Sequence, residues 1–186
     1  LSEEINATRH NTGRPVSKTI SGGGGAAWNP AEVAATLNAR HNRQSENPLY
    51  FTMCCLTLDA GTGEGHICQA GHPEPVILKR DGSITFLDPT APAIGTGLFE
   101  DDDFEAGRFS LEAGERLLLY TDGLTEPGLN DEQNIDREAL ERILLEIQGL
   151  DNQDLLDALL ERAVARVGQK TFRDDVSLLL LEMPAQ

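Results

Sequence analysis

Two acidic positions lie where packing alone would not place a carboxylate. Asp122 follows an apolar run that predicts a buried strand, and Asp174 precedes a second such run. Gly123, next to Asp122, allows the backbone to turn and to approach a ligand closely because it has no side chain. Carboxylate oxygens that converge from two strand ends are the ligands that a hard cation such as Mg²⁺ or Mn²⁺ prefers. We therefore predict a metal site that contains Asp122 and Asp174.

Each carboxylate taken alone also has a structural explanation. Asp-Gly is a common turn sequence, so Asp122 could serve only as a turn or cap residue. Asp174 could be a charge that flanks an aggregation-prone strand. The presence of both carboxylates at matching strand ends favours the metal site.

A turn that contains Gly71 and His72 separates two predicted strands. His72 has the chemistry of a metal ligand or a general acid. A histidine between glycine and proline more often bonds backbone groups of a tight turn, so we interpret Gly71 and His72 as structural turn residues. The other three histidines have no suitably spaced partner and carry no functional prediction.

The composition excludes several classes of partner. The 186 residues include 15 Lys and Arg against 31 Asp and Glu, which gives a formal net charge of −16. Such a chain repels polyanions, so we expect no nucleic acid and no membrane as partner. No run approaches the roughly 20 apolar residues of a membrane span. The N-terminus also lacks the basic-then-apolar order of a signal peptide.

The three cysteines indicate a reducing compartment. Cys54, Cys55 and Cys68 are odd in number and have apolar neighbours, without the spacing of a zinc or redox motif. We predict buried thiols that pack as small hydrophobic side chains. The expected localisation is therefore cytoplasmic.

The elements that must position the acidic residues are predicted from periodicity and turn signals. The sequence predicts an irregular, Gly-rich segment over residues 1–28 and one folded domain over residues 29–186. Strands are predicted over residues 49–58, 64–70, 75–79, 83–87, 104–111, 115–120 and 176–182. Helices are predicted over residues 29–42, 137–148 and 153–167. The strands over 49–58 and 176–182 are apolar enough for burial on both faces. Strands segregated from amphipathic helices indicate the α+β class.

The motifs occur in the order seen in the metal-dependent PPM (type 2C) protein serine/threonine phosphatases. The chain most resembles the bacterial SpoIIE/RsbU-like branch of that family. The resemblance extends from about Asn29 to Glu182 and is carried by AGHPEP, GERLLLYTDGLTE and RDDVSLLLLE, with NPAEVAATLNARHNR and LYFTMCCLTLDAGTGEGHICQAGH before them. It implies an antiparallel β-sandwich flanked by helices, with two Mn²⁺ or Mg²⁺ ions at one end. It also implies that no side chain is the nucleophile, because a metal-bound water attacks the phosphorus.

Carried over by position, the resemblance implies roles for five residues. Asp122 and Asp174 are expected to bind metal. Asp175, Glu126 and Gly123 occupy adjoining positions and are expected to support the ligands.

The family's remaining acidic ligands belong to a GDF-type motif and an Asp-x-x-Gly-His-Gly motif. Neither motif occurs in the 186 residues. The resemblance therefore implies the C-terminal portion of the domain, incomplete at the N-terminus, with residues 1–28 as a remnant of the upstream part. We expect the source protein to be active and this chain alone to be inactive, because half a ligand set binds a dication weakly. A degenerate domain retained for binding, or strands supplied by another chain, are the alternatives.

The leading hypothesis is a phosphatase output domain in bacterial signalling, as in response regulators and sigma-factor pathways. The resemblance implies a phosphorylated regulator of the anti-sigma-factor-antagonist type as partner, and an upstream receiver domain. The alternative is a degenerate domain that acts as a non-catalytic adaptor in sigma-factor regulation. A weaker alternative is an acidic interaction domain with no relation to phosphate.

Overall fold

The computed structural model describes residues 6–8, 16–17, 28–43, 50–88, 91–98, 103–127, 133–167 and 172–184. Within these ranges the strands are β1 (Asn6–Thr8), β2 (Val16–Ser17), β3 (Met53–Leu58), β4 (Glu64–Ala70), β5 (Val76–Leu78), β6 (Ile84–Phe86), β7 (Gly107–Ser110), β8 (Arg116–Tyr120) and β9 (Leu178–Glu182). The helices are α1 (Pro30–Arg43), α2 (Asp122–Thr125), α3 (Arg137–Ile147) and α4 (Asn152–Val167). The chain divides into two compact units. The first contains β1, β2, β5, β6, β8, β9, α2, α3 and α4, and the second contains α1, β3, β4 and β7.

The first unit is built on an antiparallel sheet in the order β2-β1-β9-β8-β5-β6. β8 and β9 pair from Arg116↔Glu182 to Tyr120↔Leu178, so the end of β8 lies beside the start of β9. Alternate residues of β8, Leu118 and Tyr120, pack with α3 and α4 in one buried apolar cluster.

Helices α3 and α4 form because their apolar residues recur at helical spacing. In α3, Leu140, Leu144 and Ile147 are buried on one face. Asp136 caps the helix, since its side chain accepts a hydrogen bond from the backbone N–H of Ala139 at 2.7 Å. In α4, the buried residues of the same cluster are Leu155, Leu156, Leu159 and Ala163.

The second unit contains a sheet in the order β3-β4-β7, against which α1 packs. Small side chains of α1, Ala31 and Ala34, meet Cys68 and Ala70 of β4 in a second buried cluster. The predicted start of α1 at the Asn-Pro pair is confirmed, because Asn29 Oδ1 accepts from the N–H of Ala31 at 3.0 Å. Further along α1, the buried Asn38 accepts from Gly95 N–H at 3.0 Å.

The prediction of two strands buried on both faces is wrong. The strand predicted over 49–58 begins at Met53, and all six of its residues are half-buried. Among the described strands β3 lies at the edge of its sheet, so it has a neighbour on one side only. The strand predicted over 176–182 begins at Leu178, and Leu180 is its one buried residue.

The α+β class is confirmed by the antiparallel sheets and the amphipathic helices that pack against them. The segment predicted to be irregular over 1–28 contributes β1 and β2, and β1 pairs with β9. The glycine run at residues 22–25 lies outside the described residues. The domain boundary at residue 28 therefore stays a prediction.

Of the helices that are described, none combines the length and the apolar character needed to cross a bilayer.

Candidate functional site

The pairing of β8 with β9 brings the two predicted acidic motifs to the same edge of the sheet. The last pair of the ladder is Tyr120↔Leu178. Asp122 lies two residues beyond Tyr120, and Asp174 lies four residues before Leu178. The two motifs therefore extend from neighbouring strand ends on the same side of the ladder.

Gly123 is in close contact with the backbone of the second motif. A β-carbon placed on Gly123 would lie 2.6 Å from the carbonyl oxygen of Asp175 and 3.1 Å from that of Asp174. The distance of 2.6 Å is shorter than β-carbons adopt and involves a backbone atom, so the approach requires glycine at this position. The sequence indicated the role of Gly123 in allowing a close approach, but it placed a ligand there rather than the chain's own backbone.

Thr121 connects the same two motifs by hydrogen bonds. Its hydroxyl donates to the carbonyl oxygen of Asp175 at 2.9 Å and accepts from the N–H of Ser177 at 2.9 Å. Its backbone N–H donates to the carbonyl oxygen of Ser177 at 3.1 Å. The sequence analysis gave Thr121 and Ser177 no role, and no local signal identifies them, because the hydroxyl bonds join Thr121 to residues 54 and 56 positions away.

The helix α2 is a single turn that holds Asp122 and Glu126 at the surface. The carbonyl oxygen of Asp122 accepts from the N–H of Glu126 at 2.6 Å and from the Thr125 hydroxyl at 3.2 Å. Leu124 is fully buried, whereas Asp122 and Glu126 are exposed. Burial of Leu124 therefore anchors the turn and leaves both carboxylates in contact with water.

Asp174 and Asp175 are also exposed and lie in a stretch without helix or strand. One carboxylate oxygen of Asp174 accepts from the N–H of Asp175 at 2.7 Å. On the other side of Asp174, the N–H of Arg173 donates to the carbonyl oxygen of Pro127 at 3.3 Å. The position of this stretch thus depends on backbone bonds to residues that follow β8.

The described residues supply only part of the ligand set that a divalent metal ion needs. Asp122 and Asp174 carry the oxygen donors that Mg²⁺ and Mn²⁺ prefer. The part of the chain that the structure describes contains no group of three or more His, Cys, Asp or Glu side chains able to hold an ion. The described residues therefore do not form a complete metal centre, and we derive no catalytic step through one.

Gly71 and His72 lie in the second unit, between β4 and β5. Gly71 has a φ of 65°, and a β-carbon there would lie 2.8 Å from that of Ala93. Its N–H donates to the carbonyl oxygen of Ala91 at 2.9 Å. The half-buried His72 has Nδ1 at 3.1 Å from the carbonyl oxygen of Pro73. These contacts are all with backbone or apolar atoms, either of the turn itself or of the segment that contains Ala91 and Ala93.

The prediction of three buried thiols is correct for Cys68 only, because Cys54 and Cys55 are half-buried in the edge strand β3. Burial, with smaller contributions from Cys55 and Cys68, raises the pKa of Cys54 to about 12. Burial also raises the pKa of Cys55. Both thiols therefore remain protonated at neutral pH, which disfavours a nucleophilic role.

A groove of about 750 Å³ lies at the other end of β8, around Arg116. The Arg116 guanidinium donates to the carbonyl oxygens of Gln148 and Leu150, which follow α3. Burial lowers the pKa of Arg116, and the carboxylate of Glu182 partly opposes this effect. The groove is thus separated from Asp122 by the length of β8, and Arg116 in it bonds to the turn after α3.

The chain is similar in sequence to known bacterial proteins. The sequence model of the family described as Stage II sporulation protein E (SpoIIE) matches residues 10–184. The chain is 32% identical over 96 residues to the phosphoserine phosphatase RsbP of Bacillus subtilis, which covers 52% of this chain and 23% of RsbP. It is 22% identical over 152 residues to the phosphoserine phosphatase RsbU of Bacillus subtilis, which covers 82% of this chain and 44% of RsbU. The chain thus spans less than half the length of these relatives.

Two solved structures share the fold of this chain. The RsbU and RsbW domains of Rv1364c from Mycobacterium tuberculosis align with a TM-score of 0.65 and 27% identity, over 86% of this chain and 44% of that chain. The phosphatase domain of SpoIIE from Bacillus subtilis aligns with a TM-score of 0.62 over 100% of this chain and 87% of that chain. Its identity of 14% shows a shared fold alone.

Proposed function

Because this chain belongs to the SpoIIE family of PPM (type 2C) phosphatase domains, we propose that it is the phosphatase output domain of a bacterial signalling protein. Its reaction is hydrolysis of a phosphoserine or phosphothreonine on a partner protein. One observation carries the proposal beyond the family match: the backbone of Gly123 contacts that of Asp174 and Asp175, which joins the two acidic motifs.

In this proposal Asp122 and Asp174 bind Mn²⁺ or Mg²⁺, together with further carboxylates that the described residues do not supply. Asp175 and Glu126 support these ligands as neighbouring exposed carboxylates. The exposure of all four carboxylates supports the assignment, because a hydrated dication must reach them and retain part of its water shell.

The proposed partner is a phosphorylated regulatory protein of the anti-sigma-factor-antagonist type. The proposed localisation of both proteins is the cytoplasm. Two findings support this class of partner: the relatives RsbP and RsbU are named phosphoserine phosphatases, and one solved relative contains an RsbU domain and an RsbW domain. An upstream receiver domain would make the phosphatase responsive to a signal.

The test measures phosphate release from a phosphoserine peptide by the full-length protein with Mn²⁺. We expect Asp122→Asn and Asp174→Asn each to reduce the rate by at least about 100-fold. Mutation of a residue that only orients a metal ligand already lowers activity by about 10–100-fold, and loss of the ligand itself should lower it at least as much. Asp157→Asn is the matched control, since Asp157 is an exposed carboxylate on α4 and undergoes the same change of charge.

The adaptor alternative gives a different result. It predicts that the wild type and Asp122→Asn are equally inactive and that both bind a sigma-pathway protein. For the 186-residue chain alone we expect no turnover, because the described residues lack a complete ligand group. Turnover by this chain that survives Asp122→Asn would contradict the assigned site.

A further inference from the structure

The acidic residue Asp174 lies between two hydrogen bonds, made by the backbone of Arg173 and of Asp175, that fix the chain on either side of it. On one side Arg173 N–H donates to the carbonyl oxygen of Pro127 at 3.3 Å. On the other side the Asp175 carbonyl oxygen accepts from the Thr121 hydroxyl at 2.9 Å. Asp174 itself is exposed and lies four residues before Leu178, the first residue of β9. Its placement therefore depends on these bonds rather than on a sheet ladder.

Thr121 continues the β8–β9 pairing beyond its last regular pair. After Tyr120↔Leu178, the backbone N–H of Thr121 donates to Ser177, and the Thr121 hydroxyl accepts from the N–H of Ser177. The same hydroxyl then reaches two residues further, to Asp175. One side chain thus bonds to the chain at two points between Asp174 and β9.

Thr121 is also the residue immediately before Asp122. The hydroxyl that holds the second motif is therefore attached to the backbone that carries the first carboxylate. Gly123, on the other side of Asp122, contacts the same carbonyl oxygen of Asp175. The Thr121 hydroxyl and Gly123 therefore hold the backbone around Asp122 close to the backbone of Asp175.

We propose that Thr121 is a positioning residue, whose hydroxyl holds the Asp174 segment against Asp122 so that both carboxylates are presented together. This inference rests on the proposed function, in which the two carboxylates bind metal. Ligand positions must be held within about 0.5 Å for a productive site, which an exposed and otherwise irregular stretch does not provide by itself.

The experiment compares Thr121→Val with Thr121→Ser in the full-length protein. Valine has the shape of threonine without the hydroxyl, whereas serine retains the hydroxyl. We expect Thr121→Val to weaken Mn²⁺ binding by about 10–100-fold, the usual effect of removing a residue that orients metal ligands. We expect Thr121→Ser to restore binding to within a few-fold of wild type.

Two readouts are needed. Mn²⁺ binding is titrated without substrate, from the electron paramagnetic resonance signal of the free ion. Phosphate release is then measured against Mn²⁺ concentration, and in Thr121→Val the half-maximal Mn²⁺ concentration should rise more than the rate at saturating Mn²⁺ falls. Thr85→Val on β6 is the matched control, because it makes the same substitution in the first unit.

Several results would overturn the inference. Wild-type Mn²⁺ affinity in Thr121→Val would do so, and so would failure of Thr121→Ser to recover affinity, since the methyl group rather than the hydroxyl would then matter. If Thr121→Val does not fold, Thr121→Ala replaces it, with the same expected loss of affinity and the same overturning result.

Failure of the proposed function looks different from failure of this inference. If wild type and Asp122→Asn bind Mn²⁺ equally, the proposed metal site is wrong, and the positioning role of Thr121 is overturned with it. If Mn²⁺ binding requires Asp122 but is unaffected in Thr121→Val, only the role of Thr121 is wrong.

Discussion

At the scale of single residues, Gly123 determines how closely the two acidic motifs approach. A β-carbon there would lie 2.6 Å from a backbone oxygen, which cannot rotate away as a flexible side chain could. We expect Gly123→Ala to lower the free energy of unfolding by about 1–3 kcal/mol, the usual cost of overpacking. Thermal and urea unfolding would measure the change.

Gly149→Ala provides the control for that substitution. A β-carbon on Gly149 would meet no atom within 4 Å, so its stability should stay close to that of the wild type. Equal stability of the two variants would show that the Gly123 contact is not tight in solution.

Cys54 provides a second test at this scale. Burial raises its pKa from 9.0 to about 12, so at pH 8 only about one thiol in ten thousand is ionised. We expect native Cys54 to be alkylated by iodoacetamide about 1000-fold more slowly than in urea, as measured by mass spectrometry. Rates that are equal in both states would contradict the raised pKa.

The same shift has a defined sign for stability. The folded state favours the protonated thiol of Cys54. The contribution of this thiol to the free energy of unfolding is therefore fully present below pH 9, the ordinary pKa of a cysteine. That contribution is lost as the pH rises from 9 towards 12. The free energy of unfolding should therefore decrease in this interval by less in Cys54→Ala than in the wild type.

At the scale of elements, the start of α3 depends on its cap. The Asp136 side chain accepts a hydrogen bond from the backbone N–H of Ala139. An N–H group in the first turn of a helix otherwise has no partner within the helix. We expect Asp136→Ala to destabilise the protein by about 1 kcal/mol in urea unfolding. Asp136→Asn retains an oxygen acceptor and should lose much less. A loss of equal size in both variants would assign the effect to charge rather than to capping.

Elements also differ in how well the sequence predicts them. The limits of α3 and β4 follow from local signals: a cap at Asp136, apolar residues at helical spacing, and a strand bounded by turn residues. Burial of a strand depends instead on what packs against its faces and on its place in the sheet. The apolar run of β3 predicted burial on both faces, whereas the structure places β3 at an edge with all six residues half-buried.

At the scale of the whole molecule, the net charge of −16 affects recognition of an acidic partner. Raising ionic strength from 0.01 M to 0.15 M shortens the Debye length from about 30 Å to about 8 Å. We expect the KM for an acidic phosphoprotein to fall over this range, because repulsion is screened. For a phosphopeptide with basic flanks, KM should rise. Values of KM that do not change with salt for either substrate would exclude long-range charge as a factor.

The sequence alone determined the class of fold, the family resemblance and the two acidic motifs as candidates for metal binding. These depend on residue types and on local order along the chain, such as Asp122 after β8 and Asp174 before β9. Only the tertiary structure decided that the backbone of Gly123 contacts Asp175 and that Thr121 bonds to Asp175 and Ser177. These contacts join residues more than 50 positions apart, and their geometry is set by strand pairing, which no local pattern encodes.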